Sequence, residues 1–175
     1  MIAAIVAVDV NWGIGFDGEL LERIPEDMRR FRALTEDNIV IMGRKTWDSL
    51  PSQPLQNRDN LIISSKLHLD YNKYHDYVVG VQNMENAKFA FTMLKQNYLS
   101  FKGKDVFIIG GGQIYEQLLP YCDRVYVTKI HRAYENVDTY FPIDLDASPE
   151  WRQVETGETR EYDNIAYHFL TYERV

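Results

Sequence analysis

Five short runs of uninterrupted apolar residues constrain this chain more than anything else in it: IAAIVAV (2–8), IVIM (39–42), LIIS (61–64), YVVGV (77–81) and VFIIG (106–110). A strand that is apolar at every position has no face to give to water. It belongs in a parallel sheet covered by helices on both sides. Helical patterns separate the runs. One spans 25–36 and begins at Pro25, a residue suited to the first helical position. Others span 44–50 after Gly43, 84–98 (Met84, Ala87, Phe91, Leu94, Tyr98) and 112–119 after three glycines. Strands alternating with helices predict a three-layer α/β sandwich. Beyond residue 120 the pattern changes. RVYVTKI (124–130), EWRQVETGE (150–158) and IAYHFLTYE (165–173) follow with no helix between them. The last two flank the polar TREYDN and predict an antiparallel hairpin closing the sheet. Stretches 66–76 and 144–150 read as surface connections, and 1–175 reads as one domain.

Composition narrows the function. The chain is 45% hydrophobic and 26% charged, which is ordinary globular material. A formal net charge of −7 argues against general binding to nucleic acid or anionic membranes. Cys122 is the single cysteine, so no internal disulfide can form, and a reducing compartment fits. The opening MIAAIVAVDV has no basic start and meets Asp9 after eight residues, so it reads as a buried strand. No run approaches a membrane span. A cytoplasmic setting is expected. His68, His75, His131 and His168 lack metal-ligand spacing, and no metal site is expected.

The segment GELLERIPEDMRRF (18–31) holds four carboxylates, and helix phase separates them. With Pro25 first, Ile24, Met28, Phe31, Leu34 and Thr35 define the core face. Asp27 falls roughly 55° from the centre of that face and Glu26 roughly 155° away, toward water. Arg29 and Arg30 also fall outside. A carboxylate on an apolar face needs a partner, from the protein or from a ligand.

Three strand ends suit anions, and ligands of open α/β sheets bind at such ends. IVIMGRKTW (39–47) brings Gly43, Arg44, Lys45 and Thr46 to a helix start. LIISSK (61–66) ends in two hydroxyls and a lysine. VFIIGGGQIY (106–115) ends in Gly110, Gly111 and Gly112, where no side chain stands between the backbone and a pyrophosphate. Each is weak alone, and none is a P-loop or a G-x-G-x-x-G fingerprint. Together they point to a dinucleotide, and the basic pair to an extra phosphate, hence NADP rather than NAD.

These segments resemble dihydrofolate reductase. IVAVDVNWGIG (5–15), IPEDMRRF (24–31), IVIMGRKTWDSLP (39–51), IIGGGQIYEQLLP (108–120), VTKI (127–130) and DTYFP (138–142) occur in that family's order and spacing. The resemblance implies NADPH-dependent reduction of 7,8-dihydrofolate to tetrahydrofolate. It implies an eight-stranded, mostly parallel central sheet with four flanking helices. Asp27 would bind the pterin, held by Thr128, with Leu20 and Tyr115 also in the catalytic set. Ile5, Ala7, Met28, Phe31, Leu50 and Ile109 would line the substrate pocket. Arg58 would pair with the glutamate tail. Ala7, Ile14 and Gly15 would border the nicotinamide. Gly43, Arg44, Lys45, Thr46, Ser64 and Ser65 would hold the 2′-phosphate side. Gly110, Gly111, Gly112, Gln113, Ile114, Tyr115 and Gln117 would cradle the pyrophosphate and nicotinamide ribose. The resemblance implies a cis peptide at Gly110–Gly111 and a mobile loop over 9–24. A monomer is expected, acting on dihydrofolate and open to antifolate inhibitors. The reductase of riboflavin biosynthesis and a decayed nucleotide-binding module are the competing readings.

The sequence departs from the family where Leu20, Leu21 and Glu22 replace the usual Leu-Pro-Trp. Glu22 either turns to solvent or lies beside Asp27, where like-charge repulsion would raise the Asp27 pKa. The second placement would weaken binding of diaminopyrimidine antifolates of the trimethoprim type. Trp12 is a candidate replacement for the missing indole. Gln113 stands where many relatives carry a basic residue.

Overall fold

The computed structural model describes residues 1–64, 78–81 and 103–175. The helical pattern at 84–98, the polar stretch 66–76 and Ser65 lie outside the described residues. Strands are β1 (Ile2–Val8), β2 (Gly13–Phe16), β3 (Glu19–Leu20), β4 (Ile39–Gly43), β5 (Asp59–Ile63), β6 (Val78–Val81), β7 (Val106–Gly110), β8 (Arg124–Ile130), β9 (Thr139–Tyr140), β10 (Trp151–Thr156), β11 (Arg160–Tyr162) and β12 (Ile165–Arg174). Helices are α1 (Pro25–Thr35), α2 (Arg44–Ser49) and α3 (Gly112–Leu118), with a 3-10 turn at Leu119–Tyr121. Three of the four expected helices therefore stand among the described residues.

The main sheet runs β10-β12-β8-β1-β7-β4-β5-β6, with β11 paired to β12. Strands β8, β1, β7, β4, β5 and β6 are parallel. Strand β12 returns antiparallel to β8, and β10 is antiparallel to β12. The expected hairpin is thus two-stepped. Tyr162 pairs with Ile165 across Asp163 and Asn164, both at positive φ, which is the two-residue turn that matches strand twist. A separate small sheet, β3-β2-β9, takes β2 and β3 from the stretch read as a loop over 9–24 and β9 from the connection after β8.

The apolar runs alternate between two cores, as full burial requires. Ile2, Ala4, Ile39, Ile41, Val106 and Ile108 face one core, which α3 covers with Ile114, Tyr115 and Leu118. Ala3, Ile5, Val40, Met42 and Phe107 face the other, which α1 covers with Phe31 and Leu34 and α2 with Trp47. Helices on both faces make the three-layer sandwich. Leu145, in a stretch read as surface, is 1% exposed and plugs the first core.

Candidate active site

Parallel strands bring their carboxyl ends to one edge, and five of the sequence-selected residues stand along it. In spatial order the edge carries Thr128 on β8, Ala7 on β1, Gly110 on β7, Gly43 on β4 and Ser64 after β5.

Asp27 enters this edge from the first turn of α1. Its helix has no side-chain cap, and Pro25 sets its start. The carboxylate is buried, and Thr128 Oγ1 donates to its Oδ1 at 2.5 Å. Burial raises the Asp27 pKa, opposed by the Thr128 hydrogen bond and the Arg30 charge. Arg30 corrects the sequence reading. It does not lie in water but reaches Val127 O at 3.3 Å and stacks 4.5 Å over the Phe169 ring. Its position three residues after Asp27 was the available signal.

The other acids of the segment also found partners. Glu26 lies off the core as expected, yet strand β12 covers it. Tyr167 donates to its Oε2 at 2.6 Å, and Arg160 pairs with it. Glu22 takes neither expected placement. It is half-buried and accepts from Tyr134 Oη at 3.0 Å. The groups that shift Asp27 are Thr128 and Arg30, besides burial, so like-charge repulsion from Glu22 is not the cause. Tyr134 is 112 positions from Glu22, and no sequence signal joins the two. Trp12 does not replace an indole beside Asp27. It is buried against Phe141, with Lys129 Nζ 3.9 Å above its ring.

Ile5, Phe31, Leu50 and Ile109 share one cluster, and Ala7 packs against the cluster that holds Ile24. Met28 and Leu20 are exposed apolar side chains at the rim. Arg58 is 7% exposed, and its Nε donates to Gln56 O at 2.8 Å and its Nη1 to Thr35 Oγ1 at 3.1 Å. Burial lowers its pKa, and it makes no ion pair with a described residue. Glu36 acts on it only at longer range, and a buried guanidinium with no ion pair suits a ligand carboxylate.

The glycine turn is built in three different ways. Gly110–Gly111 is a cis peptide, as the resemblance implied. Gly110 sits at φ +115°, and a Cβ there would meet the Tyr115 ring at 3.2 Å. Tyr115 in turn donates to Ile5 O at 2.8 Å. Gly111 faces Thr46, whose Oγ1 lies 3.5 Å from the position of an added Cβ. That contact joins the glycine turn to the GRKT segment. Gly112 is glycine for packing, because a Cβ would press on Thr139 and Tyr140 at 3.1 and 3.4 Å. Arg44 is exposed and paired with Asp48 at 2.5 Å, while Lys45, Gln113 and Gln117 are exposed. Ile14 and Gly15 are buried in β2, where Gly15 lets Glu19 O approach within 2.8 Å of an added Cβ.

The family model for dihydrofolate reductase matches residues 1–174. The chain belongs to the dihydrofolate reductase family. It is 35% identical over 176 residues to a dihydrofolate reductase of Bacillus subtilis, covering 99% of this chain and 95% of that one. It is 32% identical over 177 residues to that of Staphylococcus haemolyticus, covering 99% and 96%. It is 32% identical over 183 residues to a bifunctional dihydrofolate reductase-thymidylate synthase of Glycine max, spanning 98% of this chain and a third of that one. As a dihydrofolate reductase the chain is an oxidoreductase that reduces dihydrofolate to tetrahydrofolate with a nicotinamide cofactor. The competing readings are thereby set aside. Among the described residues, no group of three or more His, Cys, Asp and Glu could hold a metal. No helix among them is long and apolar enough to cross a membrane.

Proposed function

We propose that the cofactor is NADPH and that the chain acts as one domain over 1–175, a cytoplasmic monomer. The carrying observation is a buried Asp27, bonded to Thr128, on the same strand-end edge as the glycine turn and GRKT. Neighbouring strands lie about 4.8 Å apart, so β1 to β5 spans about 14 Å, a length suited to an extended dinucleotide. The groups along that edge fit it. Backbone at Gly111 offers close approach, the Thr46 hydroxyl faces it, and Arg44 and Lys45 supply positive charge where a 2′-phosphate would lie. The bound nicotinamide supplies the hydride.

The chain supplies the rest. Asp27 binds the amide and amino edge of the pterin and favours its protonated form electrostatically, while water delivers the proton to N5. Thr128 holds the Asp27 carboxylate. Ile5, Ala7, Met28, Phe31, Leu50 and Ile109 exclude water from the ring, and Arg58 takes the α-carboxylate of the glutamate tail. Leu20, Ile14 and Gly15 close the nicotinamide side. Ser64 and Ser65 join Arg44 at the adenosine end, and Gln113, Ile114, Tyr115 and Gln117 complete the cradle. Position 22 carries a carboxylate bonded to Tyr134 where the family carries tryptophan, and this change of side chain, rather than repulsion of Asp27, is the basis for weak binding of diaminopyrimidine antifolates.

The test is loss of reduced-nicotinamide absorbance on adding dihydrofolate, with NADPH and NADH compared. A higher kcat/KM with NADPH, lost in Arg44→Ala, is the expected result. Equal use of both cofactors would overturn the NADPH reading. Tighter trimethoprim inhibition of Glu22→Trp than of the native enzyme tests the antifolate part.

A further inference from the structure

Between β1 and α1 the chain makes an excursion that carries β2 and β3, and two acids stand at its ends. At the exit from β1, the buried Asp9 accepts from the N–H groups of Asn11 and Gly13 through Oδ1, each at 2.8 Å. Its Oδ2 accepts from the Tyr134 N–H at 3.3 Å. At the entry to α1, Glu22 Oε2 accepts from the Tyr134 hydroxyl at 3.0 Å. One residue therefore holds both ends of the excursion, one by its backbone and one by its side chain.

Tyr134 is itself well placed to act as a fixed point. It packs against the buried cluster of Ile24, Ile130, Ile165 and Tyr167, as Ala7 and Phe169 do. Ala7 pairs in the ladder with Thr128, which holds Asp27, and Ile24 precedes α1. The groups facing the Tyr134 hydroxyl are Glu22 and Arg132, whose guanidinium lies 5.9 Å from the ring centre. Burial and the Glu22 charge push the tyrosine pKa up to about 12, so the hydroxyl keeps its proton throughout the neutral range. A carboxylate partner makes this a charge-assisted bond, stronger than one between neutral groups.

We propose that Tyr134 is a positioning residue for dihydrofolate reduction, a post that fixes the Asp9 and Glu22 ends of the excursion together, with Glu22 as its side-chain partner. Ile14, Gly15 and Leu20 lie between those ends, so the post sets where the excursion meets the nicotinamide side. This consequence rests on the assignment of those residues proposed above. Tryptophan at the same position could only donate to that hydroxyl, so the charge-assisted bond in which Tyr134 donates depends on the Glu22 carboxylate.

The experiment uses the whole enzyme and four variants: Tyr134→Phe, Glu22→Ala, Glu22→Gln and the double Tyr134→Phe/Glu22→Ala. Tyr134→Phe keeps the ring packing and the backbone bond to Asp9. Amide hydrogen exchange over residues 10–22 is measured without cofactor, and single-turnover reduction and KM with the nicotinamide that the native enzyme accepts. Tyr134→Phe and Glu22→Ala should each speed exchange and slow the single-turnover rate about tenfold, with little change in dihydrofolate KM. Glu22→Gln, which still accepts, should recover most of the rate, and the double variant should be no worse than either single. Unchanged exchange in Tyr134→Phe, faster exchange with native kinetics, or additive losses in the double variant would each overturn the proposal. Because exchange is read without cofactor, failure of the clamp is distinguishable from failure of the NADPH reading.

Discussion

Thr128 reaches across 101 positions of sequence to donate its hydroxyl to Asp27 at 2.5 Å, and both residues are buried. The bond favours the charged carboxylate, while burial disfavours it more strongly, so Asp27 holds its proton to higher pH than an ordinary aspartate.

Asp27→Asn should therefore trade activity for stability. A raised folded pKa means that the native state binds more protons than the unfolded chain above about 3.8, so stability falls as pH rises through the folded pKa. Asparagine removes that loss. The ligand-free variant should melt at higher temperature than native at neutral pH, while the hydride-transfer rate drops at least about 100-fold and becomes more acid-dependent. Thermal melts and pH–rate profiles check both halves.

Thr128→Val keeps the shape and removes the hydroxyl. With its hydrogen-bond partner gone, Asp27 should titrate at still higher pH. The acid limb of the pH–rate profile should move upward, and kcat/KM at neutral pH should fall about 10- to 100-fold.

Arg58→Leu separates tail binding from chemistry. It should raise KM for dihydrofolate about 10- to 100-fold with little change in kcat. A pteroate substrate lacking the glutamate should show no such change. Stability should not suffer, since the guanidinium is desolvated and makes no ion pair with a described residue.

Leu145→Ala tests the plug from the connection before β10. A fully buried leucine truncated to alanine should cost about 2–5 kcal/mol, read from denaturant midpoints, with kcat near native.

His168 should carry an acid-side dependence. It faces His131 at 2.5 Å, with Lys129 and Asp146 nearby, and burial followed by the His131 and Lys129 charges lowers its pKa from 6.5. A lowered folded pKa means stability present above 6.5 and lost as pH falls through the folded value. Native protein should lose more stability over that fall than His168→Gln.

Much of this was legible in the chain. The fully apolar runs specified buried parallel strands because either face, if exposed, would have put apolar surface into water. Strand β8 and strand β7 fall where RVYVTKI and VFIIG stand. Helix phase selected Asp27 because periodicity is local, and the same phase put Glu26 off the core. Phase could not say that β12 would close over Glu26, nor that Arg30 would fold back onto Phe169. Those outcomes depend on which strand returns beside β8, a choice made by the whole sheet.

By itself, then, the sequence determined the layers, the strand-end edge where the anion-suited segments lie and which acid of the first helix is buried. These rest on spacing along the chain, which a sequence states directly. Only the tertiary structure decided what partners the acids have. Asp27 meets Thr128, and Glu22 meets a tyrosine 112 positions away, because the connection after β8 folds back over the start of α1. Side chains that distant are joined by sheet order and loop path, and neither is written in the local pattern of either segment.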